Sequence, residues 1–171
     1  MAEQITPPTP GADDQPKSAP LTINGQYVKD LSFEVPNAPA IFGQMQGKQP
    51  DINIDISVNA KEIGGNQYEV SITGHAECDV DGTKGFILEL VYAGAFTINV
   101  PDEHRQAVLM IECPRLLFPF LRNIIADVTR DGGFPPVMLG IVDFVAMYQH
   151  RLAEQEKAQG AAAGTAEADT E

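Results

Sequence analysis

The chain has 171 residues, 24 of them acidic and 11 basic, for a formal net charge of −13. That length suits one domain with a modest core, and the acidity argues against a phosphate backbone as partner, so nucleic-acid binding is not expected. No apolar run approaches the roughly 20 residues of a membrane helix, and the N-terminal stretch lacks the basic start and apolar centre of an export signal, so direct membrane insertion is not expected and the cytoplasm is the expected compartment.

Taken in chain order, the first segment is a tail. Prolines crowd residues 1–22 among Thr, Gly, Asp and Ala, a composition that buries too little surface to order itself. The folded domain is predicted over 23–155, and the acidic Ala/Gly-rich segment 156–171 is predicted to be a second disordered tail. Residues 1–22 account for −2 of the charge and residues 152–171 for −4, leaving −7 on the body, so a partner should be basic or apolar.

Residues 27–35 alternate, with Tyr27, Leu31, Phe33 and Val35 on one face and Val28, Asp30, Ser32 and Glu34 on the other. A long link, 36–50, follows. In DINIDISVNA, 51–60, every even residue is apolar and every odd one polar, the period of a strand with one buried face. After Gly64-Gly65-Asn66 the run YEVSITGHAECDV repeats the pattern, so these two strands read as a hairpin. A turn at 81–85 leads into FILELVYAGAFTINV, where Phe86, Leu88, Leu90, Tyr92, Phe96 and Ile98 hold the inner face. The other face of this fourth strand is Ile87, Glu89, Val91, Ala93 and Ala95, an apolar strip that calls for a cover, with oligomerisation the first expectation.

Beyond Pro101 the period becomes helical. Helices are predicted over 104–113, over a run carrying Leu117, Leu121, Ile124, Ile125 and Val128 that stops at Gly132-Gly133, and over 141–152 with Ile141, Val145, Tyr148 and Leu152 on one stripe. Strands first and helices after predict an α+β fold: a four-stranded antiparallel sheet, helices packed on one face, and a long crossover link after the first strand.

Reactive chemistry is scarce in this pattern. His75 and Cys78 fall on opposite faces of one strand and cannot share an ion, so no metal is expected. Cys78 and Cys113 have no CxxC spacing and read as reduced thiols. Carboxylate pairs Asp30/Glu34 and Asp51/Asp55 are each the exposed face of a strand, without a buried neighbour to raise a pKa. Nucleotide, hydrolase and metalloprotease signatures are missing, so neither enzymatic activity nor a cofactor is expected. What stands out instead is apolar residues in loops: Ala38, Ile41, Phe42 and Met45 in the crossover link, and Phe134, Val137, Met138 and Leu139 between the last two helices. Backbones broken by Pro and Gly can fold back on the core or wall an adaptable groove for extended apolar peptide.

The segments YVKDLSFEVPNAPAIF, LELVYAGAFTI and ECPRLLFPFLRNIIADVTRDGGFPPVMLGIVDF resemble the SecB family of cytosolic export chaperones, over Tyr27 to Leu152 and in the same order. KDxSFExPNAP and CPxxLFP…R…GxFP are together specific. The resemblance implies a homotetramer, a dimer of dimers, that uses neither ATP nor cofactor. It implies an ATP-independent holdase that keeps unfolded precursor proteins translocation-competent and passes them to the SecA ATPase. It assigns SecA docking to Asp30, Glu34, Ile87 and Glu89, a client groove to Ile41, Phe42, Phe134 and Leu139, and subunit contacts to Leu88, Leu90 and Tyr92. A SecB-like chaperone dedicated to a toxin-antitoxin system, and a small-ligand binding protein with an enclosed pocket, are the rival expectations.

Overall fold

In the computed structural model, which describes residues 19–166 and side chains as far as Ala158, strands β1 (Leu21–Glu34), β2 (Asp51–Gly64), β3 (Gln67–Val80) and β4 (Thr83–Ile98) form one sheet. Its order is β1-β4-β3-β2 and every neighbouring pair is antiparallel. The two hairpins follow from the alternating runs on either side of the Gly-rich turns. The link from β1 must therefore pass from one edge of the sheet to the other, and it carries a short helix, α1 (Ala40–Gln44). The α+β expectation holds.

Register shows which side chains share a face. Phe86, Leu88, Leu90, Phe96 and Ile98 of β4 are buried together with Val70, Ile72, Ala76, Cys78 and Val80 of β3. Each fully buried large side chain contributes on the order of 1.5–3 kcal/mol. Across this face runs α3 (Cys113–Asp131), with Leu117, Leu121 and Ile125 recurring every four residues toward the sheet. Its close approach rests on two glycines. A Cβ at Gly94 would lie 3.0 Å from a methyl of Leu117, and one at Gly74 would lie 3.0 Å from a methyl of Ile125.

In β1 the predicted parity fails. Register shifts fall between Ile23 and Gly25 and between Val28 and Asp30, so Asn24 and Lys29 are bulge residues. Each bulge sets two residues against one and flips every later side chain. Hence Val28, opposite Tyr92, joins Leu31 and Phe33 on the helix-bearing face, while Tyr27, opposite Ala93, moves to the face of Asp30, Ser32 and Glu34.

The helices also depart from expectation. The run predicted as a helix over 104–113 is α2 (Asp102–Ala107) followed by one π-helical turn, Val108–Glu112, that leads without a break into α3. The last helix, α4 (Phe144–Ala166), starts three residues later than predicted because the Asp143 carboxylate accepts the N–H groups of Val145 and Ala146, both at 3.0 Å. That cap leaves Ile141 in the preceding link, 98% exposed, where a buried stripe residue was expected. At its far end α4 runs past the expected tail boundary at 155/156, in keeping with the high helix propensity of its Ala, Gln, Glu and Lys residues. The expected N-terminal tail lies outside the described residues up to position 18, and β1 begins at Leu21.

Candidate functional site

The face of the sheet that carries no helix is built from the odd positions of β2, β3 and β4 and from Tyr27, Asp30, Ser32 and Glu34 of β1. Glu34 stands opposite Ile87, Ser32 opposite Glu89, and Asp30 opposite Val91. All four predicted docking residues, Asp30, Glu34, Ile87 and Glu89, thus share one face of two adjacent strands. The face continues inward: Glu77 opposes Ile87, His75 opposes Glu89, and Asp55 of β2 opposes His75.

Lys84, His75 and Lys29 pair with other carboxylates of the face. The Lys84 ammonium bonds Glu77 at 2.7 Å and Asp79 at 2.9 Å, while His75 Nε2 meets Glu77 at 3.1 Å. Lys84, and then His75, hold the Glu77 carboxyl below the usual carboxylate range, and the two carboxylates push the Lys84 ammonium above its ordinary value. At the other end Lys29, freed by its bulge, pairs with Glu69, which also accepts the Tyr27 hydroxyl at 2.5 Å. Among the described residues Asp30, Glu34, Glu89 and Asp55 take part in no ion pair. The result is an acidic surface around one half-buried isoleucine, suited to a segment with basic and apolar side chains.

The apolar strip expected on β4 is largely covered from within. Ala93 is fully buried and Ile87, Val91 and Ala95 are half-buried. Tyr27 reaches Glu69 on β3 from β1, two strand spacings away, over Ala93 and Ala95, whose small side chains leave room for the ring. Open apolar surface lies on the other face, where Val28 and Leu31 of β1 are 45% and 42% exposed beside Phe120 of α3, 48% exposed and stacked on Tyr92 at 5.7 Å. The β1 bulge hid this patch from sequence reasoning, since parity had placed Val28 on the acidic side.

Leu88 and Leu90, predicted as subunit contacts, are fully buried within this chain, and Tyr92 is nearly so. Among the predicted groove residues, Ile41, Phe134 and Leu139 are buried and Phe42 alone is exposed, at 37%. The two links do meet: Phe42 packs on Phe134 with ring centres 5.4 Å apart, Phe134 on Phe86 at 5.0 Å, and Phe86 on Phe33 at 5.6 Å. Thr129 holds the second link in place. Its carbonyl accepts the Phe134 N–H and its hydroxyl accepts the Val137 N–H, each at 3.0 Å.

Two of the open cavities beside the helices, neither of them foreseen, have partly apolar walls. One, of about 530 Å³, lies between α3 and the returning link, with Phe118, Arg122, Pro136 and Met138 in its wall. The other, of about 320 Å³, lies between the β2 edge and α4, walled by Ile56, Met110, Met147 and Arg151. Arg151 crosses it to bond the Val58 carbonyl at 3.2 Å.

The family model described as "Preprotein translocase subunit SecB" matches residues 14–155. The protein-export protein SecB of Paramagnetospirillum magneticum is 54% identical over 162 residues, covering 95% of this chain and all of that protein. That of Rhodospirillum rubrum is 52% identical over 158 residues, covering 92% of this chain and 95% of that protein. Among solved structures, a SecB-like chaperone of Mycobacterium tuberculosis, in complex with a ChAD peptide from the HigA1 antitoxin, superposes with a TM-score of 0.54 at 21% identity, over 72% of this chain and 91% of that one. The chain belongs to the SecB family of protein-export chaperones.

Proposed function

We propose that this export chaperone is a holdase: it keeps unfolded precursor proteins translocation-competent in the cytoplasm, without ATP, and delivers them to SecA. The observation that carries this reading is the division of labour between the two faces of the sheet. One is acidic, with Asp30, Glu34 and Glu89 unpaired around Ile87, and the other bears the helices, the open apolar residues and the cavities. Clients are held on the second face and docking uses the first.

Each apolar contact is weak, about 25 cal/mol per Å² buried, so several contacts on one assembly select long unfolded chains by avidity. The assembly is a homotetramer, a dimer of dimers. Val28, Leu31 and Phe120 supply its open apolar area, and Leu88, Leu90 and Tyr92 support that patch from beneath. Client segments enter at Phe42 and at the cavity edged by Met138, and Ile41, Phe134 and Leu139 become accessible when the links part. The relatives that are half identical carry an export name, which favours general export over service to a single antitoxin.

In calorimetry, Asp30→Ala/Glu34→Ala is expected to weaken SecA binding by about tenfold or more, roughly 1.4 kcal/mol, while leaving client holding intact. Unchanged SecA affinity would sink the docking assignment. Light scattering of a denatured precursor tests holding directly, and undiminished aggregation in its presence would refute it.

A further inference from the structure

Lys84 shares the even parity of Phe86, Leu88 and Leu90, which by itself would turn it toward the helices. It lies on the opposite side. Cys78 of β3 pairs with Phe86 and Asp79 pairs with Lys84, so Gly85 is an extra residue, a bulge that turns the Lys84 side chain over to the acidic face. A Cβ at Gly85 would lie 2.8 Å from the Cys78 sulfur and 3.2 Å from its carbonyl oxygen, so the bulge needs glycine. The backbone of the turned residue is held as well, since its carbonyl accepts the Asn37 amide at 2.9 Å.

Glu34, Ile87 and Glu77 stand in one row across β1, β4 and β3, so the isoleucine has a carboxylate on each side. The two are not equivalent. Among the described residues Glu34 takes part in no ion pair, whereas both oxygens of Glu77 are engaged, Oε2 by Lys84 Nζ at 2.7 Å and Oε1 by His75 Nε2 at 3.1 Å. The same ammonium bonds Asp79 at 2.9 Å. One internal cation thus occupies two acids on the β3 side of Ile87 and leaves the β1 side open to a cation from outside. The Lys84, Glu77 and Asp79 side chains keep 30%, 35% and 30% of their surface, so an incoming cation can reach the same carboxylates. Exposed pairs add little to the stability of a fold, which makes the effect of Lys84 on the charge of this face its larger consequence.

We propose that Lys84 is an internal competitor of the basic partner: it occupies Glu77 and Asp79, confines docking to the β1 side of Ile87 and holds the affinity below what the face could reach. The inference rests on the acidic-face docking put forward above and names the residue that tunes it. A contact made and broken in each delivery is served by moderate affinity, because tighter binding is mostly slower dissociation.

The test is fluorescence anisotropy of a labelled oligolysine peptide on the full-length chain at about 0.1 M salt, where charges act over about 10 Å. Lys84→Gln is expected to lower the Kd of the peptide about threefold or more, and Lys84→Arg to bind like the wild type. Lys157→Gln, which changes the net charge equally but in α4, should give a far smaller gain. Adding Glu77→Gln and Asp79→Asn to Lys84→Gln should erase the gain, because those two carboxylates are its source. A Lys84→Gln gain no larger than that of Lys157→Gln, or one that survives the loss of both carboxylates, overturns the proposal. Circular dichroism verifies that each variant is folded, and Lys84→Met, equally uncharged, serves as a second variant. Damage to the fold would weaken binding, so it cannot imitate the expected gain. The docking reading fails separately, if Asp30→Ala/Glu34→Ala binds the peptide as the wild type does.

Discussion

Glu69 shows how much one carboxylate can organise on an exposed sheet. Lys29, then Tyr27, hold it below the usual carboxylate range, while the same bond pushes the Tyr27 phenol up. A depressed carboxylate stabilises the fold above its unfolded value, about pH 4.3, and that contribution is lost as pH falls through the lower folded value. The raised phenol acts oppositely: its contribution is complete below about pH 10 and is lost as pH rises through the higher folded value. Glu69→Gln should therefore cost up to about 1 kcal/mol at neutral pH, with the gap to wild type closing in acid, as urea midpoints at the two pH values will show. Burial pushes the Cys113 thiol up to about 12, and the Cys78 thiol is also raised. Neither should react with a thiol reagent at pH 8 until denaturant is added, a difference that mass spectrometry detects. Thr129→Val removes the acceptor of the Val137 N–H and should cost about 1–3 kcal/mol, measured as a lower melting temperature, with Ser restoring most of it.

Among the elements, β1 carries the lesson about legibility. β2, β3 and β4 alternate without interruption over their apolar runs, so their faces were readable residue by residue. In β1 a bulge looks like any other residue: Lys29 is exposed in either parity, and only pairing with β4 reveals it as the extra one. The same limit applied to helix ends. Gly132-Gly133 announced the end of α3 by composition, whereas Asp143 caps α4 inside a run whose apolar spacing already looked helical. Where α3 ends, Gly132 also lies against β1, since a Cβ there would sit 2.3 Å from the Phe33 ring. Gly132→Ala should accordingly destabilise the protein by about 1–3 kcal/mol through displacement of Phe33, an effect visible in thermal denaturation.

For the whole molecule, charge acts at long range. In the proposed tetramer four copies of −13 would make −52, a field that would draw in basic segments and weaken as added salt shortens the Debye length from about 10 Å at 0.1 M to about 3 Å at 1 M. Binding of a basic partner to the acidic face should fall steeply across that range, whereas client holding, which depends on apolar area, should be nearly constant. Fluorescence anisotropy of a labelled basic peptide beside light scattering of a denatured precursor separates the two.

Sequence alone determined the strand faces from β2 to β4, the succession of sheet and helices, the acidic character of one face and the family, because alternation, turn residues and motifs are local properties of the chain. Tertiary structure decided what depends on pairing between distant segments. Register revealed the bulges and so the exposed Val28 and Leu31, and the approach of α3 at Gly94 and Gly74 buried Leu88 and Leu90. Contact of the two links through Phe42 and Phe134 likewise depended on packing between distant segments, since apolar loop residues pack on the nearest core surface.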